Sequence, residues 1–146
     1  MILIDNRKAH FNYEIIEKYE AGIELFGFEV KSITSGRAIL PGSFAIVRGG
    51  EAFLVGMQIP PYQAGNTPAD YDPERTRRLL LSKKQIAEIA PSDNMKGLTL
   101  VPLSLYSKGR LIKVELAIVK GKKNYDKRET IKKRDTDREI RREYKR

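Results

Sequence analysis

From Ile112 to Ile118 the chain alternates: Ile112, Val114, Leu116 and Ile118 share one parity, and Lys113, Glu115 and Ala117 the other. A period of two with one apolar side predicts a strand in a sheet that is wet on one face. Leu98 to Tyr106 reads as its partner, joined through Ser107-Lys108-Gly109-Arg110. A second alternation runs from Ser43 to Val47, with Phe44 and Ile46 on one face and Ala45 and Val47 on the other. Gly49-Gly50 then predicts a tight hairpin turn, and Ala52 to Val55 the return strand. Tyr13 to Tyr19 mixes aromatic and β-branched residues with acids, as a half-buried strand does. Ala21-Gly22 reads as a turn and Ile23 to Phe26 as the other arm of a hairpin. Glu29 to Ile33, ending near Gly36, has room for one or two helical turns. Pro60-Pro61 closes the preceding strand, and residues 62–71 read as a loop.

Two helix starts follow. Asp72-Pro73-Glu74 offers an N-cap acid, a proline at the first helical position and an acid near the positive end of the dipole. Ser82-Lys83-Lys84-Gln85 is a capping box ahead of Ile86, Ala87 and Ile89, with Pro91 as the stop. The pair suggests a bent helix or two pieces. About six short strands, few helical residues and no βαβ alternation give a mainly β fold. The expected architecture is a small antiparallel barrel of the oligonucleotide-binding (OB) type with two or three short helices, spanning residues 1–119.

After Val119 the apolar pattern collapses, and residues 120–146 form a separate C-terminal tail. From Thr130 onward only Ile131, Ile140 and Tyr144 are large and apolar, too few to hold a helix down in isolation. Asp137–Arg141 is a favourable i, i+4 pair, but Arg134–Arg138 and Glu139–Glu143 repel at that spacing. The expectation is a tail disordered when free and helical against an acidic partner.

Charge sharpens this division. The 146 residues carry a net +9, yet residues 120–146 hold 13 of the 28 Lys and Arg side chains and 6 of the 19 Asp and Glu. Residues 1–119 keep 15 basic against 13 acidic, a net of only +2, so a nucleic-acid surface on the body has to be a local patch. The absence of cysteine excludes disulfides, zinc fingers and thiolate catalysis. A lone histidine, His10, leaves a two-histidine metal site or a Ser/His/Asp triad almost nothing to work with, so neither metal nor cofactor is expected. Lack of a long apolar run or basic leader predicts a cytosolic protein.

Three stretches go beyond composition. They are Asn6-Arg7-Lys8-Ala9-His10 with Tyr19-Glu20-Ala21-Gly22-Ile23 and Gly27 to Ser32; Asp72 to Leu81; and Lys120-Gly121-Lys122-Lys123-Asn124-Tyr125-Asp126-Lys127-Arg128. In this order and spacing the chain resembles the SmpB family, the bacterial protein partner of transfer-messenger RNA (tmRNA), over essentially its whole length. The resemblance implies an OB-type barrel that binds the tRNA-like domain of tmRNA. With elongation factor Tu and GTP, such a protein helps load that RNA onto stalled ribosomes for trans-translation, and is not itself an enzyme. It implies RNA contacts at Asn6, Glu20 and Leu80, with Arg7, Lys8, Arg75 and Arg78 beside them. It implies contacts with the ribosomal decoding region and mRNA channel at Lys120, Lys122, Lys123, Tyr125, Asp126, Lys127 and Arg128. Many members carry histidine at the positions of Phe11 and Tyr125, and tryptophan near Phe28 and Ser107. A histidine proton therefore cannot be invoked at either of the first two positions.

The residues also admit plainer readings. Arg75, Arg77 and Arg78 can line an exposed helix face, although arginine also grips phosphate bidentately and stacks on bases. Leu80 on its own reads as a core leucine, and Glu20 beside Gly22 as turn chemistry; facing RNA, Glu20 would accept from a base or 2′-hydroxyl or orient a neighbouring arginine. Asn6 can cap a helix or turn. Lys31 is an ion-pair partner or a weak RNA candidate. Glu14 and Glu17, three apart in a strand, are expected on opposite faces, which removes a two-carboxylate hydrolase. The rivals are a generic single-strand-binding barrel, an RNA-modifying or cleaving enzyme and a polybasic membrane binder.

Overall fold

The computed structural model describes residues 1–121 except Ala64, Asn66, Asn94 and Lys96; the expected contacts at Lys122, Lys123, Tyr125, Asp126, Lys127 and Arg128 and the expected character of the tail lie outside the described residues. In chain order the elements are β1 (Ile2–Asp5), α1 (Arg7–Asn12), β2 (Tyr13–Ile23), α2 (Gly27–Thr34), β3 (Phe44–Arg48), β4 (Glu51–Val55), β5 (Arg77–Leu80), α3 (Lys83–Asp93), β6 (Leu98–Lys108) and β7 (Leu111–Gly121). Pairing is antiparallel throughout, in the order β1-β6-β3-β4-β5-β2-β7, and β7 also pairs with β6. That last pairing closes six strands into a barrel. The seventh, β1, shares an edge of β6 with β3, whose bridge is Ala45–Leu100.

The two hairpins follow the alternation read from sequence. Gly49 and Gly50 take φ of 59° and 76°, the left-handed pair that a two-residue hairpin turn requires. Leu98–Lys120 to Lys108–Leu111 set the register of β6 on β7. Val114, Leu116 and Ile118 point inward with Leu54, Leu79, Leu100 and Leu105, while Ile33 of α2 and Ile89 of α3 plug the interior. The outer face of β7 is not wholly wet: Ala117 and Val119 lie with Val101 and Leu103 beneath Ala9 of α1. A bulge at Leu103 makes this possible, since it puts two successive β6 residues on the outer side and returns Leu105 to the interior.

Four sequence expectations give way. Ala21-Gly22 is no turn; β2 runs unbroken through both, because Gly22 supplies close packing rather than chain reversal. Asp72-Pro73-Glu74 starts no helix. Asp72 Oδ1 accepts the Glu74 N–H at 2.9 Å, the bond an N-cap would make, but the chain goes on as a strand with Arg77 and Leu79 turned inward. Ser82 and Gln85 do form the capping box of α3, at 3.1 Å in both directions, but Pro91 lies inside the helix, which ends two residues later. Finally, a bulge at Ile16 pairs Glu14 with Lys120 and Glu17 with Ile118, so the two exposed acids count to the same face.

Candidate nucleic-acid interface

The seam between β2 and β5 gathers three of the predicted residues. Gly22 pairs with Leu80, and a Cβ on Gly22 would lie 3.1 Å from Leu80 Cβ and 3.3 Å from its Cδ1. Leu80 thus lies across a strand that offers it no side chain, and it remains 46% exposed. Glu20 precedes Gly22 by two residues and so shares its outer face. Its carboxylate accepts from Tyr106 Oη at 2.6 Å and Lys108 Nζ at 3.1 Å. These two donors hold Glu20 below the usual carboxylate range, while burial first and then Glu20 push the Tyr106 phenol up. Arg78 faces outward between Glu24 (3.2 Å) and Glu51 (2.9 Å), and its carbonyl accepts from the Glu24 N–H. At 46% exposure Leu80 is not the core leucine of the two readings.

Beyond Arg78 the arginine run behaves differently from an exposed helix face. Alternation along β5 buries Arg77 completely, where Nη2 reaches Glu29 Oε2 at 2.6 Å and Nη1 donates to the Met57 carbonyl at 2.6 Å. Glu29, also fully buried, caps α2 by accepting the Phe26 N–H at 2.8 Å, and takes further bonds from Arg75 and from Tyr71 Oη at 2.9 Å. Burial alone would raise the Glu29 pKa. The bonds from Arg75, the Phe26 N–H and Arg77 outweigh it and hold the carboxyl low. Tyr71 is pushed up to about 12, first by burial and then by the Glu29 carboxylate. Arg75, fixed by Glu29, lays its guanidinium 4.0 Å over the centroid of the Phe26 ring. Sequence reading missed Glu29, Arg77 and Tyr71. The available signal was Glu29, the one acid in an otherwise apolar helix start, facing two arginines spaced two apart.

Asn6 is buried, and it caps α1 through Oδ1 to the Ala9 N–H at 3.4 Å. Its Nδ2 donates to the Pro102 carbonyl at 2.9 Å and its N–H to that of Leu103 at 2.8 Å, so it clamps the β6 bulge. Arg7 and Lys8 follow it, exposed on α1. Comparison with known proteins then decides the family: a model described as SmpB protein matches residues 3–146. The chain belongs to the SmpB family. It is 49% identical over 145 residues to the SsrA-binding protein of Gloeothece citriformis, spanning 99% of this chain and 94% of that one. The SsrA-binding protein of Carboxydothermus hydrogenoformans is 52% identical over 139 residues, 95% and 93% of the two chains. A solved chain described as "tmRNA-SmpB: a journey to the center of the bacterial ribosome" superposes with a TM-score of 0.69 at 42% identity, over 87% of this chain and 92% of that one. On this SmpB barrel Lys31 is exposed on α2, and Lys120 is exposed near the end of β7, opposite Glu14. Among the described residues no cluster of three His, Cys, Asp or Glu is placed to hold a metal ion, and no helix is long and apolar enough to cross a membrane.

Proposed function

We propose that this chain binds tmRNA, holds its tRNA-like domain along the β2–β5 seam and delivers it to stalled ribosomes for trans-translation. The observation that carries the reading is Leu80, a large apolar side chain kept half in water over a glycine and flanked by Glu20 and Arg78. An exposed leucine in a polar setting suits an unstacked base, Arg78 suits a phosphate, and Glu20 suits a base edge or 2′-hydroxyl. Arg7 and Lys8 offer further basic contacts from α1, with Asn6 acting through the helix it caps. Lys31 and Arg75 serve the RNA from the α2 side. The stretch from Lys120 to Arg128 serves the ribosomal decoding region and channel. The chain works by binding rather than by bond-making chemistry, and in the cytoplasm, where ribosomes are.

Competition binding at about 150 mM salt tests the reading, with the tRNA-like domain of tmRNA, an unrelated tRNA and a single-stranded oligonucleotide of equal length as ligands. A preference for the tRNA-like domain that is lost in Leu80→Ala is the expected result. Equal binding of all three would make the barrel a generic reader of charge.

A further inference from the structure

The β2–β5 seam does not stop at Arg78. The Glu24 N–H bonds the Arg78 carbonyl, and one step further Arg75 stacks on Phe26. There the surface opens into a cavity of about 350 Å³ lined by Phe26, Phe28, Pro68, Asp70, Asp72 and Arg75, with Tyr71 at its back. That volume lies within the range of small-molecule sites, about 300–1,000 Å³. Phe26, the N-cap residue of α2, is 50% exposed. Its neighbours hold it rigidly: the Phe26 and Phe28 centroids are 5.5 Å apart, and Phe28 meets Tyr71 edge-on at 4.7 Å. Arg75 and Tyr71 are both tied to the buried Glu29. The ring wall is therefore organised before any ligand arrives.

The polar groups narrow the occupant. Two carboxylates, Asp70 and Asp72, border the cavity, which disfavours a phosphate inside it and favours a flat ring with N–H donors on its edge. Asp72 spends Oδ1 on the Glu74 N–H, leaving Oδ2 for a ligand. Among the four bases guanine alone offers two adjacent donors, N1–H and the N2 amino group, the match for a bidentate carboxylate. A neighbouring cavity of about 310 Å³ shares Phe28 and brings Lys31 alongside, with Tyr62 and Gln63. It is suited to the phosphate that would flank such a base. Resting on the tmRNA reading above, we infer that this cavity is a stacking pocket for an unpaired guanine of the bound RNA, with the base on the Phe26–Arg75 wall and its donor edge on Asp70 and Asp72.

The test has two arms on the full chain. In the first, GMP, AMP, CMP and UMP are titrated while the ring resonances of Phe26, Phe28 and Tyr71 are followed by NMR. GMP should shift them at lower concentration than the other three. Phe26→Leu, which keeps apolar volume but removes the ring, should abolish the shifts, and Asp70→Asn with Asp72→Asn should remove the preference for GMP. In the second arm Phe26→Leu should weaken binding of the tRNA-like domain about tenfold, as expected for loss of one base stack. No ring shifts, or equal shifts with all four nucleotides, would overturn the proposal. So would GMP binding that depends on Phe26 while affinity for the tRNA-like domain does not. Leu80→Ala separates this from the seam: it should leave GMP binding intact while weakening the RNA, and an unchanged RNA affinity there would count against the seam reading alone.

Discussion

Leu80 sits on Gly22 with no room for a methyl group between them: a Cβ at position 22 would be 3.1 Å from that of Leu80. The exposed leucine and the bare strand beneath it make one feature, and each residue explains the other. Gly22→Ala should therefore act through Leu80, displacing it outward by a few tenths of an ångström. Stability should change by less than about 1 kcal/mol. Leu80→Ala, at a half-exposed site, should cost no more than about 0.5 kcal/mol of stability. Both should lower affinity for the tRNA-like domain, Leu80→Ala by about tenfold (1.4 kcal/mol). Thermal melts alongside equilibrium binding separate the two effects.

The Glu29–Arg77 pair should behave in the opposite way. Arg77→Met strips a fully buried carboxylate of its fully buried partner, and removing one side of such a pair costs about 3–5 kcal/mol. A fall in Tm on the order of 10 °C follows. Restoring the charge with Arg77→Lys should recover only part of it, since one ammonium cannot reach Glu29, Met57 and Pro73 together as the guanidinium does.

The same carboxylate sets a pH dependence. Glu29 has a lower pKa folded than unfolded, so its stabilisation is complete above the unfolded value of about 4.3. It is lost as pH falls through the depressed folded value. Urea unfolding between pH 7 and pH 3 should show stability dropping in that acid window. Glu29→Gln should be less stable at neutral pH and flatter on the acid side.

Asn6→Ala should be a folding variant first. It removes the cap of α1 and leaves the Pro102 carbonyl at the bulge without its side-chain donor, a cost of about 1–3 kcal/mol. RNA affinity should fall with it because α1 carries Arg7 and Lys8. Asn6→Asp keeps the cap acceptor but not the donor, and should fall between alanine and the parent in a melt.

Arg78 offers a measurement on phosphate contact. If its guanidinium leaves Glu24 and Glu51 for the RNA backbone, Arg78→Ala should reduce the slope of log K against log salt by roughly 0.7–0.9. The fold should be nearly untouched, because both ion pairs are exposed.

The hairpins were legible in the sequence because each is local: alternating residues, a glycine turn, and the partner a few residues away. β5 was not. Its entry turn uses the same Asp side chain-to-backbone bond as a helix N-cap, and an arginine at a core position hides the alternation of Arg77 and Leu79. What makes Arg77 acceptable inside is Glu29, 48 residues away, a pairing no local pattern carries. α1 was hidden for a related reason, since only Ala9 on it is buried and its position depends on a bulge in β6. At the candidate site, family resemblance points to Leu80, Glu20 and Arg78, but their grouping along one seam needs the β2–β5 register. Phe26 reads in sequence as the end of an alternating strand, whereas it caps α2.

β2 also works as a ruler. At Tyr13 it pairs with Gly121, where the barrel ends and the basic C-terminal stretch begins; at Gly22 it pairs with Leu80. Nine residue steps of extended backbone separate these points by about 30 Å. The span cannot stretch, because β7 and β5 are bonded to it. An RNA resting on Leu80, as proposed, would thus be held at a set distance from the root of the last 25 residues. Two ligands engaged at the two ends would be measured against each other by a single strand.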